Sequence, residues 1–222
     1  MDGLSKRGNP FDKQDAKRYR TIVADPPWDH SDGTGLNFGS RWNPRVANNG
    51  QISGHGDVHT TGLPYSVMTL DEICALPVGA LAESDAHLYL WTTNRYLRAS
   101  FSVIEAWGFS VSATLVWCKA PKGFMGGAFR SSTEFIQFAR RGSLPHKAQA
   151  PQRWFQWPRI GHSSAAGTRT SAGHSAKPEA FLDLVEQVSP GPYLELFARR
   201  NRFGWDTWGN ECLEHVEMGG AA

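Results

Sequence analysis

The chain has 222 residues, of which 40% are apolar, and a formal net charge of +2 at neutral pH. This composition is typical of a soluble globular protein with a sizeable core and excludes a disordered chain. No apolar run approaches the roughly 20 residues of a membrane-spanning helix, and residues 1–20 lack the apolar centre of a signal peptide. We therefore expect a cytoplasmic protein with no membrane partner.

A single domain is expected over residues 1–222, without internal repeats. Residues 1–19 are predicted to be a loosely ordered lead-in, and 212–222 a tail. Two long segments, 29–64 and 141–173, lack apolar periodicity and are predicted to be functional loops, because long structureless connections are uncommon in compact domains. The three cysteines fit neither a disulfide framework nor a zinc-binding spacing, and His55 and His59 have no cysteine or carboxylate pair at ligand spacing, so no metal is expected.

Apolar patterning predicts that strands and helices alternate along the chain. A strand at 20–24 comes first, and a capping box that begins at Thr69 predicts a helix at 69–76, which Pro77 ends. A buried strand at 87–93 and a helix at 95–107 follow. The remaining predicted elements are strands at 113–118 and 133–139, a helix at 178–188 with Pro178 as its first residue, and strands at 193–198 and 203–208. This alternation predicts an α/β fold with a mostly parallel, doubly wound sheet and helices on both faces.

The motif Asp25-Pro26-Pro27-Trp28 directly follows the first predicted strand. Proline fixes its own φ and has a carbonyl but no N–H, so two prolines in a row form a stiff wall of hydrogen-bond acceptors. Ligands of open α/β sheets bind beyond the carboxyl ends of the strands. A carboxylate, two proline carbonyls and an indole at this place indicate a pocket for a flat ligand with an exocyclic amino group.

A second informative cluster lies near the C-terminus. Lys177 directly precedes a predicted helix, where its charge and the helix dipole both favour a carboxylate, although a solvated lysine is the alternative. Glu195 lies in a strand that is otherwise apolar, and a buried carboxylate needs a partner or a ligand. Arg199 follows that strand and is expected either to form an ion pair with Glu195 or to bind a ribose. The chain has no phosphate-loop motif and no Gly-x-Gly-x-x-Gly fingerprint after its first strand, so the residues give no reason to expect ATP or NAD.

The stretch between Glu134 and Glu179 contains no acidic residue. Its basic residues are interleaved with the aromatic residues Trp154, Phe155 and Trp157; they are Arg140, Arg141, Lys147, Arg153, Arg159, Arg169 and Lys177. Cations that meet phosphates and rings that stack on bases are typical of nucleic-acid binding, with a solvated basic surface as the alternative. We expect nucleic acid to contact Arg153, Trp154 and Trp157.

Seven short motifs together resemble one enzyme family. The motifs resemble, in chain order, those of the N6-adenine methyltransferases of the mRNA-adenosine-methyltransferase (MT-A70) type, and they are Asp25–Trp28, Tyr65, Leu88–Trp91, Val116–Lys119, His174–Pro178, Glu195–Arg199 and Trp208–Glu211. The resemblance extends from about Thr21 to Glu211, except in the two long loops. It implies a permuted Rossmann-like methyltransferase fold that uses S-adenosylmethionine, with the acceptor motif first and the cofactor half last.

The resemblance also implies roles for individual residues. Asp25 corresponds to the acceptor of the adenine amino hydrogens, Pro26 and Pro27 to the carbonyl wall, and Trp28 to the stacking floor. The implied substrate-pocket residues are Tyr65, Lys119 and Glu134. Lys177 corresponds to the contact of the methionine carboxylate, and the other implied cofactor-binding residues are Glu195, Phe197, Arg199, Asn201, Asn210 and Glu211. Of these, Asn201 and Glu211 stand where members of the family vary.

The implied activity is methyl transfer to the N6 amino group of adenine. DNA is favoured as the substrate because small stand-alone chains of this type resemble DNA-modifying enzymes. The alternatives are RNA adenosine methylation and a non-catalytic scaffold that binds nucleic acid. The intact Asp-Pro-Pro-Trp motif, together with Lys177, Arg199 and Asn210, argues against the scaffold. Since the chain has no room for a recognition domain, the two long loops, a second copy in a homodimer or a related subunit are expected to read the target site.

Overall fold

The computed structural model describes residues 17–28, 67–119, 129, 132–150, 152–157 and 177–209, and the backbone of residues 45–46 and 52–53. The strands are β1 (Tyr19–Ala24), β2 (Arg45–Val46), β3 (Ile52–Ser53), β4 (Ala82–Thr92), β5 (Ser110–Cys118), β6 (Thr133–Arg141), β7 (Trp154–Phe155), β8 (Tyr193–Leu196) and β9 (Trp205–Trp208). The helices are α1 (Leu70–Ala75), α2 (Val78–Leu81), α3 (Ala99–Ala106) and α4 (Glu179–Val188).

Seven of these strands form one sheet, in the order β7-β5-β6-β4-β1-β8-β9, while β2 and β3 pair separately. β1 runs parallel to both β4 and β8, and β8 runs parallel to β9. The carboxyl ends of these four strands therefore meet at one edge of the sheet, which we call the carboxyl edge. β6 runs antiparallel to β4 and β5, so its first residues, Thr133 and Glu134, lie at the same edge.

Helices cover both faces of this sheet, as the sequence predicted. α1, α2 and α3 pack on one face through residues such as Ile73, Val78 and Ile104. α4 packs on the other face, where Phe181 meets Tyr89 and Trp91 edge to face. The mostly parallel, doubly wound α/β sheet is confirmed, and the face that α4 covers is the one that carries the candidate site.

The capping box at Thr69 is present, and it explains where α1 begins. The Thr69 hydroxyl accepts the Glu72 N–H at 3.3 Å, and the Glu72 carboxylate accepts the Thr69 N–H at 2.7 Å. Two orphan donors of the first helical turn are thereby satisfied. Nothing comparable occurs at α3, whose N-cap, Arg98, makes no side-chain cap.

Several predicted element boundaries differ from those of the structure. The predicted helix at 95–107 begins only at Ala99, because residues 94–98 form turns, and the central strand begins at Ala82 rather than at 87. Pro178 is not the first residue of α4 but its N-cap, with an extended ψ of 136°. The predicted loop at 141–173 contains β7, which pairs with the exposed edge of β5 and satisfies backbone groups there.

The described part of the chain contains no helix that is long and apolar enough to span a bilayer. Within the same residues, no three His, Cys, Asp or Glu side chains lie close enough together to hold a metal ion.

Candidate active site

Asp25 is the first residue after β1, and it lies at the carboxyl edge. Its backbone N–H donates to the Leu196 carbonyl at 3.4 Å, which ties it to the neighbouring strand β8. Side chains alternate along a strand, and Val23 belongs to the core beneath α4, so Asp25 lies on the α4 face. The side chain is 22% exposed. It is therefore a partly buried carboxylate at the place where ligands of such sheets bind.

Asp25 is one end of a row of four alternating charges, which we call the charge chain: Lys119, Glu134, Lys177 and Asp25. The Lys177 ammonium lies 2.8 Å from Asp25 Oδ2 and 3.3 Å from Glu134 Oε2. The other oxygen of Glu134, Oε1, forms an ion pair with Lys119. The side chains of Lys119, Glu134 and Lys177 are only 12%, 10% and 14% exposed. The structure thus brings together residues from β5, β6, the start of α4 and the end of β1.

The charge chain keeps its buried members ionised. Burial alone would lower the pKa of Lys177, but the carboxylates of Asp25 and Glu134 outweigh burial and raise that pKa. Burial would likewise raise the pKa of Glu134, but the ammonium groups of Lys177 and Lys119 outweigh it and lower that pKa. Lys177 also lies 5.2 Å from the centre of the Trp91 ring, a cation–π distance. Lys177 is therefore a fixed cation, and the alternative of a solvated lysine is excluded.

Glu195, in β8, is a further buried carboxylate on the α4 face, besides Glu134 of the charge chain. Its Oε2 is buried and has no hydrogen-bond partner among the residues that the structure describes. Burial raises the pKa of Glu195 to about 7; the charge of Asp25 adds to the rise, while Arg200 and Arg202 oppose it. A buried, unsatisfied carboxylate in a ligand-binding edge is well suited to accept hydrogen bonds from a ligand.

Replacing Glu195 with Gln should change how stability depends on pH. The folded-state pKa of about 7 lies above the ordinary glutamate pKa of 4.5, so the folded state binds more protons between these values and loses stability as pH rises. Without ligand, we expect the free energy of unfolding of the wild type to fall relative to Glu195→Gln by about 3 kcal/mol between pH 4.5 and pH 8.

Urea denaturation of both proteins across this pH range measures the difference. Glu186→Gln is the matched control, because hydrogen bonds from Arg202 and Trp205 lower the pKa of Glu186. The stability that Glu186 contributes is lost only as the pH falls below the pKa of Glu186 in the unfolded chain. The difference in unfolding free energy between the wild type and Glu186→Gln should therefore stay constant from pH 8 to about pH 5. If the difference in unfolding free energy between the wild type and Glu195→Gln did not change with pH, the raised pKa of Glu195 would be contradicted.

The turn after β8 has a strained and tightly packed backbone. Phe197 has a φ of 62°, which a bulky residue rarely adopts, and its ring meets Trp208 edge to face at 5.2 Å. Gly209 passes so close to this turn that an added Cβ would lie 2.1 Å from the Ala198 carbonyl oxygen. Two of the predicted cofactor residues, Phe197 and Arg199, thus lie in one rigid turn at the carboxyl edge, while Asn201 is exposed.

Pro26, Pro27 and Trp28 make more contacts within the protein than the sequence suggested. The Pro26 carbonyl accepts the Trp28 N–H and the Pro27 carbonyl accepts the Met68 N–H, both at 2.9 Å, so each oxygen keeps one lone pair. The Trp28 ring is 5% exposed and stacks on Tyr96 at 5.0 Å, and its indole N–H donates to the Trp91 carbonyl. The carbonyl wall and the stacking floor therefore stay predictions.

Three residues of the basic segment lie away from the carboxyl edge. Arg140 donates to the Leu144 carbonyl, Arg141 to Gly79 and Lys147 to Glu186, all at the edge opposite the carboxyl edge. Arg140 and Arg141 lie there because β6 runs antiparallel and carries its basic end away from the site, and the contact of the basic segment with nucleic acid stays a prediction.

The residues on and beside β7 are placed differently. Arg153 and Trp154 are exposed, Trp154 by 55%. Trp157 stacks on Phe155 at 4.6 Å, and its carbonyl accepts the Trp117 indole N–H at 3.0 Å. The predicted contacts Arg153 and Trp154 face solvent, and pairing with Val116 puts the Trp154 side chain on the face of the sheet opposite to Phe155 and α4.

A family model described as MT-A70 matches residues 19–211. The chain belongs to the MT-A70 family. The match begins with β1 and contains every predicted site residue. It confirms the family that the motifs resembled.

Named relatives of this MT-A70 chain are nucleic-acid methyltransferases. It is 29% identical over 208 residues to the type II methyltransferase M.MunI of a Mycoplasma species, which covers 92% of this chain and 82% of that protein. It is 27% identical to the human N(6)-adenine-specific methyltransferase METTL4, over 90% of this chain and 39% of that protein. The human N(6)-adenosine-methyltransferase catalytic subunit METTL3 is 24% identical, over 87% of this chain and 28% of that protein. The predicted class, an N6-adenine methyltransferase, is confirmed, although the chain spans less than half of the two human proteins.

Two site residues of this MT-A70 chain were not assigned a role from the sequence. Tyr96 stacks on Trp28, and Thr93, two residues beyond Trp91, has a buried hydroxyl without a hydrogen-bond partner in the described part of the chain. The period-2 spacing from Tyr89 through Trp91 to Thr93 was the available signal for Thr93. The predicted site residues Tyr65, Asn210 and Glu211 lie outside the described residues, as do His55 and His59.

Proposed function

We propose that this MT-A70 chain transfers the methyl group of S-adenosylmethionine to the N6 amino group of adenine in DNA. The observation that carries the proposal is that two carboxylates, the partly buried Asp25 and the buried Glu195, lie on one face of the sheet at the carboxyl edge. Asp25 is held by the fixed cation Lys177, and this arrangement suits a reacting amino group. Glu195 has an oxygen without a hydrogen-bond partner among the described residues, and this oxygen suits a polar ligand.

The residues at this edge fit S-adenosylmethionine. Glu195 has an unsatisfied buried oxygen that two neutral ribose hydroxyls would satisfy, and Lys177 is a fixed cation for the methionine carboxylate. The strained turn at Phe197 and the approach of Gly209 provide a rigid backbone beside Glu195. When bound, the cofactor supplies an electrophilic methyl group on a sulfonium. Arg199 and Asn201, and Asn210 and Glu211 beyond the described residues, remain proposed contacts.

Asp25 addresses the main chemical difficulty of the reaction. The lone pair of the adenine amino nitrogen is delocalised into the ring, so this nitrogen is a poor nucleophile. A carboxylate that accepts one amino hydrogen draws the nitrogen towards tetrahedral geometry, because hydrogen bonds to charged acceptors are strong. It also stabilises the positive charge that develops on the nitrogen during the transfer. Asp25 can then receive the proton that the methylated nitrogen releases.

The proline carbonyls would complete this arrangement. Pro26 and Pro27 each keep one lone pair, which allows one of the two oxygens to accept the second amino hydrogen. Their rigid φ angles hold these acceptors in position and reduce the cost of ordering them. In this account Trp28 supports the loop through Tyr96 and Trp91, and it contacts a base only through whatever ring surface remains exposed.

DNA is preferred over RNA because M.MunI resembles this chain over most of both proteins. RNA adenosine is the second candidate, supported by the similarity to METTL3. Adenine in a duplex hides its amino group in the stack, so a duplex substrate has to be flipped into the site. Homodimerisation or a related subunit remains a proposed way of reading the target sequence.

The polymer is tested by competition. Purified protein is incubated with radiolabelled S-adenosylmethionine and an equal mixture of DNA and RNA of matched random sequence, and the label on each polymer is counted after nuclease separation. We expect label on DNA. Label on RNA alone would replace DNA with the second candidate, and label on neither polymer would overturn the proposed function.

Trp154 should contribute to nucleic-acid binding without affecting the cofactor. Its ring is exposed on β7, and a base stacked on an aromatic ring contributes about 1–3 kcal/mol. Trp154→Ala should therefore weaken DNA binding by roughly tenfold, measured by fluorescence anisotropy. Phe101→Ala is the control, because Phe101 is also exposed but lies on α3, away from β7. Equal effects of the two variants would contradict a specific contact.

A further inference from the structure

Glu134 in the charge chain has both oxygens occupied by cations. Oε1 forms an ion pair with Lys119, and Oε2 lies 3.3 Å from the Lys177 ammonium. The adenine amino group requires an acceptor, and an oxygen that already holds a cation is a poor one. Glu134 is thus better placed to act on Lys177 than to bind a substrate, which was the role the family resemblance implied.

The position of the Lys177 ammonium depends on a competition between two carboxylates. Asp25 lies 2.8 Å away and Glu134 lies 3.3 Å away, and the side chains on which the competition depends are largely buried. Charges in such surroundings are weakly screened, so each carboxylate has a strong influence on the ammonium. Neither contact is an ordinary surface ion pair.

Lys119 determines how strongly Glu134 competes with Asp25 for the Lys177 ammonium. Its ammonium neutralises much of the Glu134 charge, and the Trp117 ring, 5.0 Å away, helps to hold it there. A neutralised Glu134 attracts Lys177 less strongly. Lys119 therefore favours the ammonium position near Asp25, at the ligand-binding edge.

We propose that Lys119 and Glu134 are positioning residues, which act through Lys177 to set its affinity for the cofactor carboxylate and its hold on Asp25. This inference rests on the proposed function. The ammonium that would bind the cofactor is the one now shared with Asp25. Cofactor binding and the availability of Asp25 as an acceptor are consequently coupled through one side chain.

The test compares two ligands that differ in the group Lys177 would hold. S-adenosylhomocysteine carries the amino-acid carboxylate, and 5′-methylthioadenosine lacks the whole amino-acid portion. Their dissociation constants are measured by calorimetry for the wild type, Lys119→Met, Lys119→Arg, Glu134→Gln and the Lys119→Met/Glu134→Gln double variant. No turnover is needed, so the measurement is independent of the identity of the nucleic acid.

Lys119→Met should weaken S-adenosylhomocysteine binding by about tenfold, because an unneutralised Glu134 draws Lys177 away and repels the carboxylate. Binding of 5′-methylthioadenosine should stay unchanged. Lys119→Arg keeps the charge and should restore the affinity. In the Glu134→Gln background the Lys119→Met change should have almost no effect, since Lys119 is proposed to act on Lys177 through Glu134.

Three results would overturn the inference. Equal weakening of both ligands in Lys119→Met would indicate general structural damage. If Lys119→Met weakened the binding of neither ligand, Lys119 would not be coupled to the cofactor site. The same would follow if Lys119→Met weakened S-adenosylhomocysteine binding equally in the wild-type and Glu134→Gln backgrounds. A wild type that binds neither ligand would instead overturn the proposed cofactor, and this inference with it.

Discussion

Asp25→Asn should retain cofactor binding and lose almost all turnover. The substitution keeps the shape of the side chain but removes the charge that stabilises positive charge on the adenine nitrogen, and Lys177 still has Glu134 as a partner. We expect the turnover number to fall by about a thousandfold or more, as for the loss of a preorganised electrostatic contact. The dissociation constant of S-adenosylhomocysteine should change by no more than about tenfold, the size of effect expected when the balance of charge around Lys177 shifts.

Single-turnover kinetics and calorimetry on the same preparation separate these two effects. Asp71→Asn is the matched control, because Asp71 is an exposed residue in the first turn of α1, which packs on the face of the sheet opposite to Asp25. It should leave the turnover number unchanged. Near-normal turnover of Asp25→Asn would remove Asp25 from the chemistry and leave it a structural partner of Lys177.

Lys177→Met should have the second large effect, on stability and on cofactor affinity together. Lys177 bridges Asp25 and Glu134 with a side chain that is only 14% exposed, so its removal leaves two carboxylates without their shared cation. Breaking a buried ion pair costs about 3–5 kcal/mol, and we expect a loss near 3 kcal/mol because Glu134 keeps Lys119. Affinity for S-adenosylhomocysteine should fall by about a hundredfold through loss of the carboxylate contact.

Thermal unfolding and calorimetry measure the two losses in parallel. The control is Lys17→Met, which breaks the ion pair with Asp206 at a lysine that is 60% exposed and should cost less than about 1 kcal/mol. If Lys177→Met matched this control in stability, the charge chain would not contribute to the folded state. If it bound S-adenosylhomocysteine normally, Lys177 would not hold the cofactor.

The sequence predicted the elements with strong local signals. The capping box at Thr69 located the start of α1 because its two hydrogen bonds involve residues only three positions apart. The start of α3 was misplaced, since its N-cap Arg98 makes no side-chain cap and helical spacing continued into the turns before it. The apolar period thus identified the helix but not its boundary.

The candidate site was predicted less completely, for a physical reason. Strand order places Glu134 of β6 within reach of Lys177, which lies 43 positions later in the sequence, and no local pattern encodes that contact. Glu195 was anticipated because an acidic residue in an apolar strand is unusual, and its oxygen is indeed buried and unsatisfied. The charge chain depends on an antiparallel β6 in a mostly parallel sheet, which periodicity alone does not specify.

In the proposed reaction, Asp25 directs a methyl group onto the N6 nitrogen of adenine. The most direct measurement is mass spectrometry of nucleosides from DNA incubated with isotopically labelled S-adenosylmethionine and either the wild type or Asp25→Asn. We predict labelled N6-methyldeoxyadenosine with the wild type, and its near absence with the variant. Labelled methylcytosine, or equal N6-methyldeoxyadenosine from both proteins, would contradict the account.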